Sequence, residues 1–160
     1  METISTERIS SRIIVYAGLT AAAYAVMTIA FGPLSYGPLQ FRVSGLFKPL
    51  ALRHPFMAWA LAIGVLLANL MSPFGLWDFV AMPLVSFVAA RLCWQLRRWP
   101  IPALLIQAII IAAGVAYFPL GIGAGLPWWP TAGLVFASEA ILYLTGWFVL
   151  RQTPIWDALS

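Results

Sequence analysis

Residues 13–31 read IIVYAGLTAAAYAVMTIAF, 19 consecutive residues without a charged side chain. As an α-helix this run rises roughly 28 Å, close to the ~30 Å hydrocarbon core of a bilayer. Arg8 and Arg12 precede it, as they would precede the apolar part of a signal peptide. The run is longer than a typical signal h-region, however, and it ends in Phe31-Gly32-Pro33-Leu34 rather than at a small-residue cleavage site. It reads as a retained first span. The rest of the 160-residue chain has the same character, 62% hydrophobic and only 9% charged, against about 45–50% and ~25% in soluble domains. There are too few polar side chains to coat a soluble globule, which excludes a soluble enzyme or a nucleic-acid-binding module. The formal charge of +4 has no basic face on which to lay nucleic acid. A single cysteine, Cys93, and a single histidine, His54, exclude an internal disulfide and a Cys/His metal cluster. No cofactor and no metal are expected.

The composition predicts an all-α integral membrane protein with one membrane domain over 1–160. Breaks at Gly32-Pro33, His54-Pro55, Ser72-Pro73-Phe74-Gly75, Trp99-Pro100-Ile101-Pro102 and the PLGIGAGLPWWP stretch of 119–130 divide it into helices at about 10–31, 43–53, 56–71, 77–98, 103–118 and 131–150. The second, at roughly 16 Å, is too short to span alone. It is expected to be buried among the others or to lie tilted beside the ordered loop of 32–44. Six spans place Arg8, Arg12, Arg53, Arg91, Arg97, Arg98 and Arg151 on one side, and Arg42 with at most Lys48 on the other. That asymmetry puts both termini in the cytoplasm. A five-span alternative, with 33–53 re-entrant, moves Arg151 outside and weakens the asymmetry. In the six-span arrangement Trp77, Trp128 and Trp129 fall at the outer interface, and Trp94 and Trp99 at the inner one.

Ionisable groups within a bilayer are costly and point to function. Glu139 is the main one, roughly 13 Å into the last helix, with no cation within two turns in sequence. It serves a ligand, or it pairs with Arg42 or Lys48. Asp78 either caps its helix or lines the outer end of a pocket, and Asn69 stands near the same level. Gln107 suits a hydrogen bond between helices. Gln40, Arg42 and Ser44 follow the Gly-Pro loop, a candidate lid, although an interfacial arginine also snorkels to lipid phosphate. Phe41 and Trp77 belong to an outer aromatic set that either stacks on a flat ligand or forms the interfacial belt. Ala17, Ala21 and Ala25, spaced by four, make a small-residue stripe for helix approach, inside the bundle or toward a partner. There is no Walker A motif and no Ser/His/Asp set, so active transport would draw its energy from another subunit.

The segment Gly37-Pro38-Leu39-Gln40-Phe41-Arg42-Val43-Ser44 resembles the GPIQFRIS segment of the queuosine-precursor transporter family, QueT. Ala68-Asn69-Leu70 followed by Phe74-Gly75-Leu76-Trp77-Asp78-Phe79-Val80 is similar to that family's AN…GLGIWDIVFG stretch, and Ser138-Glu139-Ala140 resembles its GEA element. The stripe Ala17-x-x-x-Ala21 with Tyr24 looks like its first-helix motif for docking on a scaffold subunit.

The resemblance implies a six-helix S-component of an energy-coupling factor (ECF) importer in the cytoplasmic membrane of a bacterial cell. Its outward pocket, under the loop after helix 1, would bind a deazaguanine precursor of queuosine. A transmembrane scaffold and two ATPase subunits would energise uptake. It implies Asn69, Asp78, Glu139 and the segment Gln40–Ser44 as pocket residues. Two positions depart from the pattern: Gly45 stands where the family usually has Glu, with Lys48 one turn on, and Gly114 stands near a second expected Glu. These departures bear on substrate identity. The competing functions are an S-component for another purine-like or vitamin-like solute, a non-transporting membrane assembly subunit, and an intramembrane enzyme. The last needs a second reactive group near Glu139, and none is evident along the chain.

Overall fold

The computed structural model describes residues 10–37 and 40–159. Arg8, Pro38 and Leu39, which entered the sequence argument, lie outside the described residues. All regular structure among the described residues is helical. Helix α1 (Ser11–Ala30) starts on Ser10, whose hydroxyl accepts a hydrogen bond from the Arg12 N–H at 3.3 Å and satisfies one of the free donors of the first turn. Pro33 does not end helical structure at once. It occupies the first turn of a further short helix, α2 (Gly32–Ser35), where a missing N–H has no cost.

The next element, Val43–Leu52, is a ten-residue 3₁₀ helix. Pro49 within it has no N–H to donate and is poorly suited to an α-helix interior. Runs of 3₁₀ longer than three or four residues are uncommon. This one is held from outside: it is wedged against α1, α4 (Met82–Gln95) and α6 (Trp128–Leu150), with Lys48, Pro49, Leu50 and Ala51 buried. At ~2.0 Å per residue it covers roughly 20 Å.

Helix α3 (Met57–Asn69) follows. A π-helical turn, Trp77–Ala81, leads into α4, and α5 (Pro100–Tyr117) continues into a second π-helical stretch, Phe118–Gly123. Prolines accompany both wide stretches: Pro83 follows the first and Pro119 lies within the second. Each withholds the N–H that an α-helix would use at that position. Helix α5 begins at Pro100, three residues ahead of the expected Ala103, because prolines are tolerated in the first turn. The Gly/Pro stretch expected as a turn over 119–130 is helical through Gly123 and again from Trp128. A short α7 (Pro154–Ala158) completes the described chain.

The helices α1, α3, α4, α5 and α6 pack in succession, and the 3₁₀ helix bridges α6 and α1. Ile14, Val26, Leu84, Val88, Ile109 and Ile141 point outward and are about half exposed or more. Apolar residues on both the inner and the outer faces are what lipid, rather than water, requires. Four segments are long and apolar enough to cross a bilayer: Ser11–Ala30, Trp77–Gln95, Pro100–Gly123 and Trp128–Leu150. Val43–Leu52 and Met57–Asn69 are shorter.

The alanine stripe of α1 is used within the bundle. Ala17, Ala21 and Ala25 are all buried, and α3 comes so close that a Cβ added at Gly64 would stand 2.9 Å from Tyr24 Cβ and 3.1 Å from the Ala21 carbonyl. Ala25 and Tyr24 belong to the core and offer nothing to a partner. Ala17 and Ala21 do reach an outer groove of about 350 Å³ between α1 and α3, beside Gly18 and Ala22, both of which are exposed.

Gly146 of α6 lies against the backbone of Leu46 in the 3₁₀ helix, and an added Cβ would overlap the Leu46 carbonyl. A main-chain neighbour has no rotamer with which to give way. Gly146→Ala is therefore expected to cost at least about 1–3 kcal/mol as overpacking and to lower the melting temperature in detergent. Gly18→Ala meets nothing within 4 Å and should leave melting unchanged or raise it slightly. Equal melting of the two variants would show that α6 and the 3₁₀ helix are not in this contact.

Candidate functional site: a buried ion-pair latch over a carboxylate cavity

Gln40 carries a left-handed backbone, with φ of 47°. Two residues on, the chain delivers Arg42 into the bundle, where it is 4% exposed. A buried guanidinium must find acceptors for its fork of N–H groups, and this one does. Its Nε donates to the Ser35 carbonyl at 3.3 Å and to Gln40 Oε1 at 3.0 Å. Nη1 donates to Asn69 Oδ1 at 3.0 Å, and Nη2 to Asp78 Oδ2 at 3.1 Å and Oδ1 at 3.4 Å. Asp78 is fully buried and also accepts from Asn69 Nδ2 at 3.0 Å and from the Ser72 hydroxyl at 2.5 Å. Asn69 Nδ2 donates as well to the Asp78 carbonyl at 2.7 Å. Tyr36 lies under the guanidinium, 5.5 Å from ring centroid to Cζ, and its hydroxyl donates to the Ala68 carbonyl at 2.6 Å. Burial is the largest influence on Arg42 and lowers its pKa; Asp78, with smaller contributions from Tyr24, Glu139 and Tyr36, together outweighs it, and the net shift is upward.

This network settles two alternatives left open by the sequence. Asp78 makes no helix-capping hydrogen bond; it is the counter-ion of Arg42. Arg42 does not reach out to lipid phosphate. Among the described residues this is the ion pair that closes within 4 Å. It ties the segment after α2 to the end of α3 and to the π-helical turn ahead of α4. Gln40, Arg42, Asn69 and Asp78 thus come together as expected, but they mainly satisfy one another, and Gln40 Nε2 is the side-chain atom of the group left without a hydrogen bond.

Beneath the latch lies a small enclosed cavity. Arg42, Tyr24, Lys48, Ser86 and Glu139 supply its polar lining, and Val65, Met82, Ile111 and Val115 its apolar walls. The empty space is about 240 Å³, of which only about 10 Å³ is open to the centre of a water molecule, near the least that one water needs. Glu139 is 3% exposed and its Oε2 has no hydrogen-bond partner. Lys48 donates to Ser86 Oγ at 2.5 Å and lies 5.2 Å over the Tyr24 ring. Lys48, which the sequence offered as a partner, and Ser86, which reading along the chain did not find, are the polar neighbours of Glu139 in this cavity. They come from the 3₁₀ helix and from α4, 91 and 53 positions away. The deep Ser44 hydroxyl is taken up by Thr28 at 2.6 Å, and Thr28 donates to the Tyr24 carbonyl at 2.9 Å.

A family model described as QueT transporter matches residues 14–153. The chain belongs to the QueT transporter family. It is accordingly a multi-pass membrane protein with a transport role. No curated protein and no solved structure gives a significant match.

Several QueT-motif residues sit away from the cavity. Trp77 is 46% exposed and stacks on Phe118 with ring centroids 6.1 Å apart; it belongs to the outer surface. Phe41 is half-buried against the main core. Gly114 faces Val85, with an added Cβ only 2.9 Å from Val85 Cγ1, so this position has no room for a carboxylate. Gly45 is different: a Cβ there would stand 3.3 Å from Glu139 Oε2. Gln107 is buried in α5 with neither amide atom hydrogen-bonded. Tyr24 and Tyr143 are further buried residues near Glu139, and the Tyr143 hydroxyl, one turn beyond it, is also without a hydrogen bond.

The two buried carboxylates should respond differently to loss of charge. Asp78→Asn leaves Arg42 buried with no counter-ion and is expected to cost about 3–5 kcal/mol, read as a large drop in melting temperature. Glu139→Gln removes a carboxylate from the cavity without orphaning a directly bonded cation, and should change melting by much less. A Glu139→Gln loss as large as that of Asp78→Asn would make Glu139 part of the structural network.

Proposed function

We propose that the chain is the substrate-binding S-component of an ECF-type importer and that Glu139 reads the hydrogen-bonding edge of a deazaguanine base. The observation that carries this is the buried carboxylate with a free oxygen, in a small cavity with apolar walls, in a chain of the QueT transporter family. A guanine-type base offers adjacent N–H donors, and one carboxylate accepts both as a fork. Lys48 and Ser86 supply polar groups on the same cavity, suited to an acceptor elsewhere on the ring. The cavity in its described form is smaller than a base, so entry requires the Arg42 latch segment or the 3₁₀ helix to move. Asn69, Asp78, Gln40 and Arg42 act as the latch; Phe41, Ser44 and Trp77 support the outer half without contacting the reading group.

In the same proposal both termini are cytoplasmic and the two shorter helices complete six membrane segments. Support comes from the arginines at the helix ends away from Asp78. The groove flanked by Gly18 and Ala22 receives the transmembrane scaffold, and two ATPases supply energy to a chain that has no nucleotide-binding motif of its own. The protein binds and releases its solute unchanged rather than converting it.

Charge balance within the cavity favours an uncharged base. Arg42 is matched by Asp78, and Lys48 shares the cavity with Glu139. Gly45 holds no second carboxylate, and a buried ammonium without its own partner costs several kcal/mol.

Binding of radiolabelled deazaguanine to the purified protein tests this reading directly. Glu139→Gln should weaken affinity roughly 10–100-fold, the worth of a charge-assisted hydrogen bond of about 1.5–3 kcal/mol. Unchanged affinity would assign Glu139 to structure, and recovery of altered base would favour an enzyme. The nitrile-bearing base should bind at least as tightly as the aminomethyl form; a hundredfold preference for the latter would remove the charge argument.

Topology and docking have separate readouts. In a Cys93→Ser background, Pro73→Cys and Ala124→Cys should react with impermeant thiol reagent added outside, and Gln152→Cys should not. Ala22→Trp should retain base binding while losing co-purification with a scaffold subunit. Labelling of position 152 from outside would refute the six-span arrangement.

A further inference from the structure

A second, wider cavity lies away from Glu139. It is an open cleft of about 740 Å³ at the other end of the bundle, where α4 ends and α1 and α3 begin. Along α4, Asp78 and Arg91 are separated by roughly 20 Å of helix. The cleft is lined by Arg53, His54, Arg91 and Arg97 together with Trp59 and Trp94. Among the described residues no acidic side chain is on that lining. Arg91 and Arg97 both stand over the Trp94 ring, 5.3 Å and 4.3 Å from its centroid. Arg97 Nη1 also donates to the Trp94 carbonyl at 3.1 Å. Arg53 is anchored by its Nε, which donates to the Trp156 carbonyl at 2.9 Å. The cationic groups are therefore held in place on one shared cleft.

Phe56 and Trp59 line both this cleft and the apolar groove between α1 and α3, which continues along Ile14, Ile63 and Leu67. A cationic chamber that opens into an apolar channel, at a helix-end level rich in tryptophan, has the chemistry of an amphiphile with a negative head. We propose that the cleft is a binding site for an anionic phospholipid, its phosphate held by Arg91 and Arg97 with Arg53 and His54 alongside, and one acyl chain directed past Trp59 into the near end of the groove beside Phe56 and Ile14, short of the Gly18 and Ala22 face assigned to the scaffold. Arginine suits phosphate because its planar fork donates two parallel N–H bonds. Basic pockets between membrane helices at the headgroup level hold acidic lipids on the same grounds. A free phosphate would use the cationic half alone and leave the apolar half without a function. An acidic segment of another protein would satisfy the arginines but would not need the groove.

The test uses the full chain in neutral detergent, with retained lipid counted by native mass spectrometry after addition of phosphatidylglycerol or phosphatidylcholine of the same acyl composition. Phosphatidylglycerol should be retained in marked excess over phosphatidylcholine. The double variant R91Q/R97Q should reduce that excess roughly thirtyfold, each arginine contributing about the electrostatic share of a juxtamembrane cation. The control R98Q/R151Q removes the same charge from outside the cleft lining and should keep the excess. Inorganic phosphate at millimolar concentration should not displace the lipid. Equal retention of the two lipids, an unchanged excess in R91Q/R97Q, an equal loss in R98Q/R151Q, or displacement by phosphate alone would each overturn the proposal. Folding of each variant is followed by its melting transition, and a variant that does not melt cooperatively is replaced by R91K/R97K. That variant keeps the charge and loses the fork, and should show a smaller loss of the phosphatidylglycerol excess. Full loss of the excess there with a cooperative transition would also count against the assignment.

Discussion

A guanidinium cannot be left alone inside an apolar bundle, and the pairing of Arg42 with Asp78 organises one end of this protein. Burying either charge by itself would cost several kcal/mol. Together, with Asn69, Ser72, Gln40 and the Ser35 carbonyl completing their hydrogen bonds, they give the chain after α2 one place to go. The partners come from four separate stretches of sequence, so the network sets the distance between the loop, the end of α3 and the π-helical turn. The wide turn presents Asp78 inward just ahead of Pro83. A latch of this kind is strong while dry and weakens when water or a competing ligand group reaches it, a property that suits a cover over a solute cavity.

Close backbone approach is the second organising constraint. Gly64 lets α3 meet α1, and Gly146 lets α6 meet the backbone of the 3₁₀ helix. The 3₁₀ helix is too short to be a conventional span and contains a proline, yet it packs against α1, α4 and α6 and carries Lys48 into the interior. Its geometry is a consequence of packing: the surrounding helices bury it, and the tighter 3₁₀ rise accommodates Pro49. Lys48 and Glu139 then share one cavity although no local pattern links them.

The two ends of the bundle are chemically opposite. The end near Asp78 has its one arginine buried and matched by an acid. The end near Arg91 gathers arginines and tryptophans on an open cleft with no acid on its lining among the described residues. This polarity sets charge balance within a dry interior at one end against an excess of cationic side chains on an open cleft at the other. The planar fork of arginine satisfies a carboxylate in the first case.

Much of the architecture was legible in the chain. The uncharged run of 13–31, the low charge content and the Gly/Pro breaks determine a helical membrane protein, because lipid admits few other backbones. The motif segments around Gln40–Ser44, Trp77–Asp78 and Ser138–Ala140 point to the family, and Glu139 stands out by cost alone. What the sequence did not determine was who pairs with whom. Asp78 as a cap or a pocket wall, Arg42 as a lid or a snorkel, and the alanine stripe as an internal or external face were undecided, since each side chain is compatible with several neighbours. Only the tertiary structure brings Arg42 to Asp78, turns Trp77 outward, spends Ala25 and Tyr24 inside, and sets Lys48 and Ser86 beside Glu139. The physical reason is range: hydropathy and helix breaks are properties of a few consecutive residues, whereas a buried charge is assigned its partner by the packing of helices far apart in sequence.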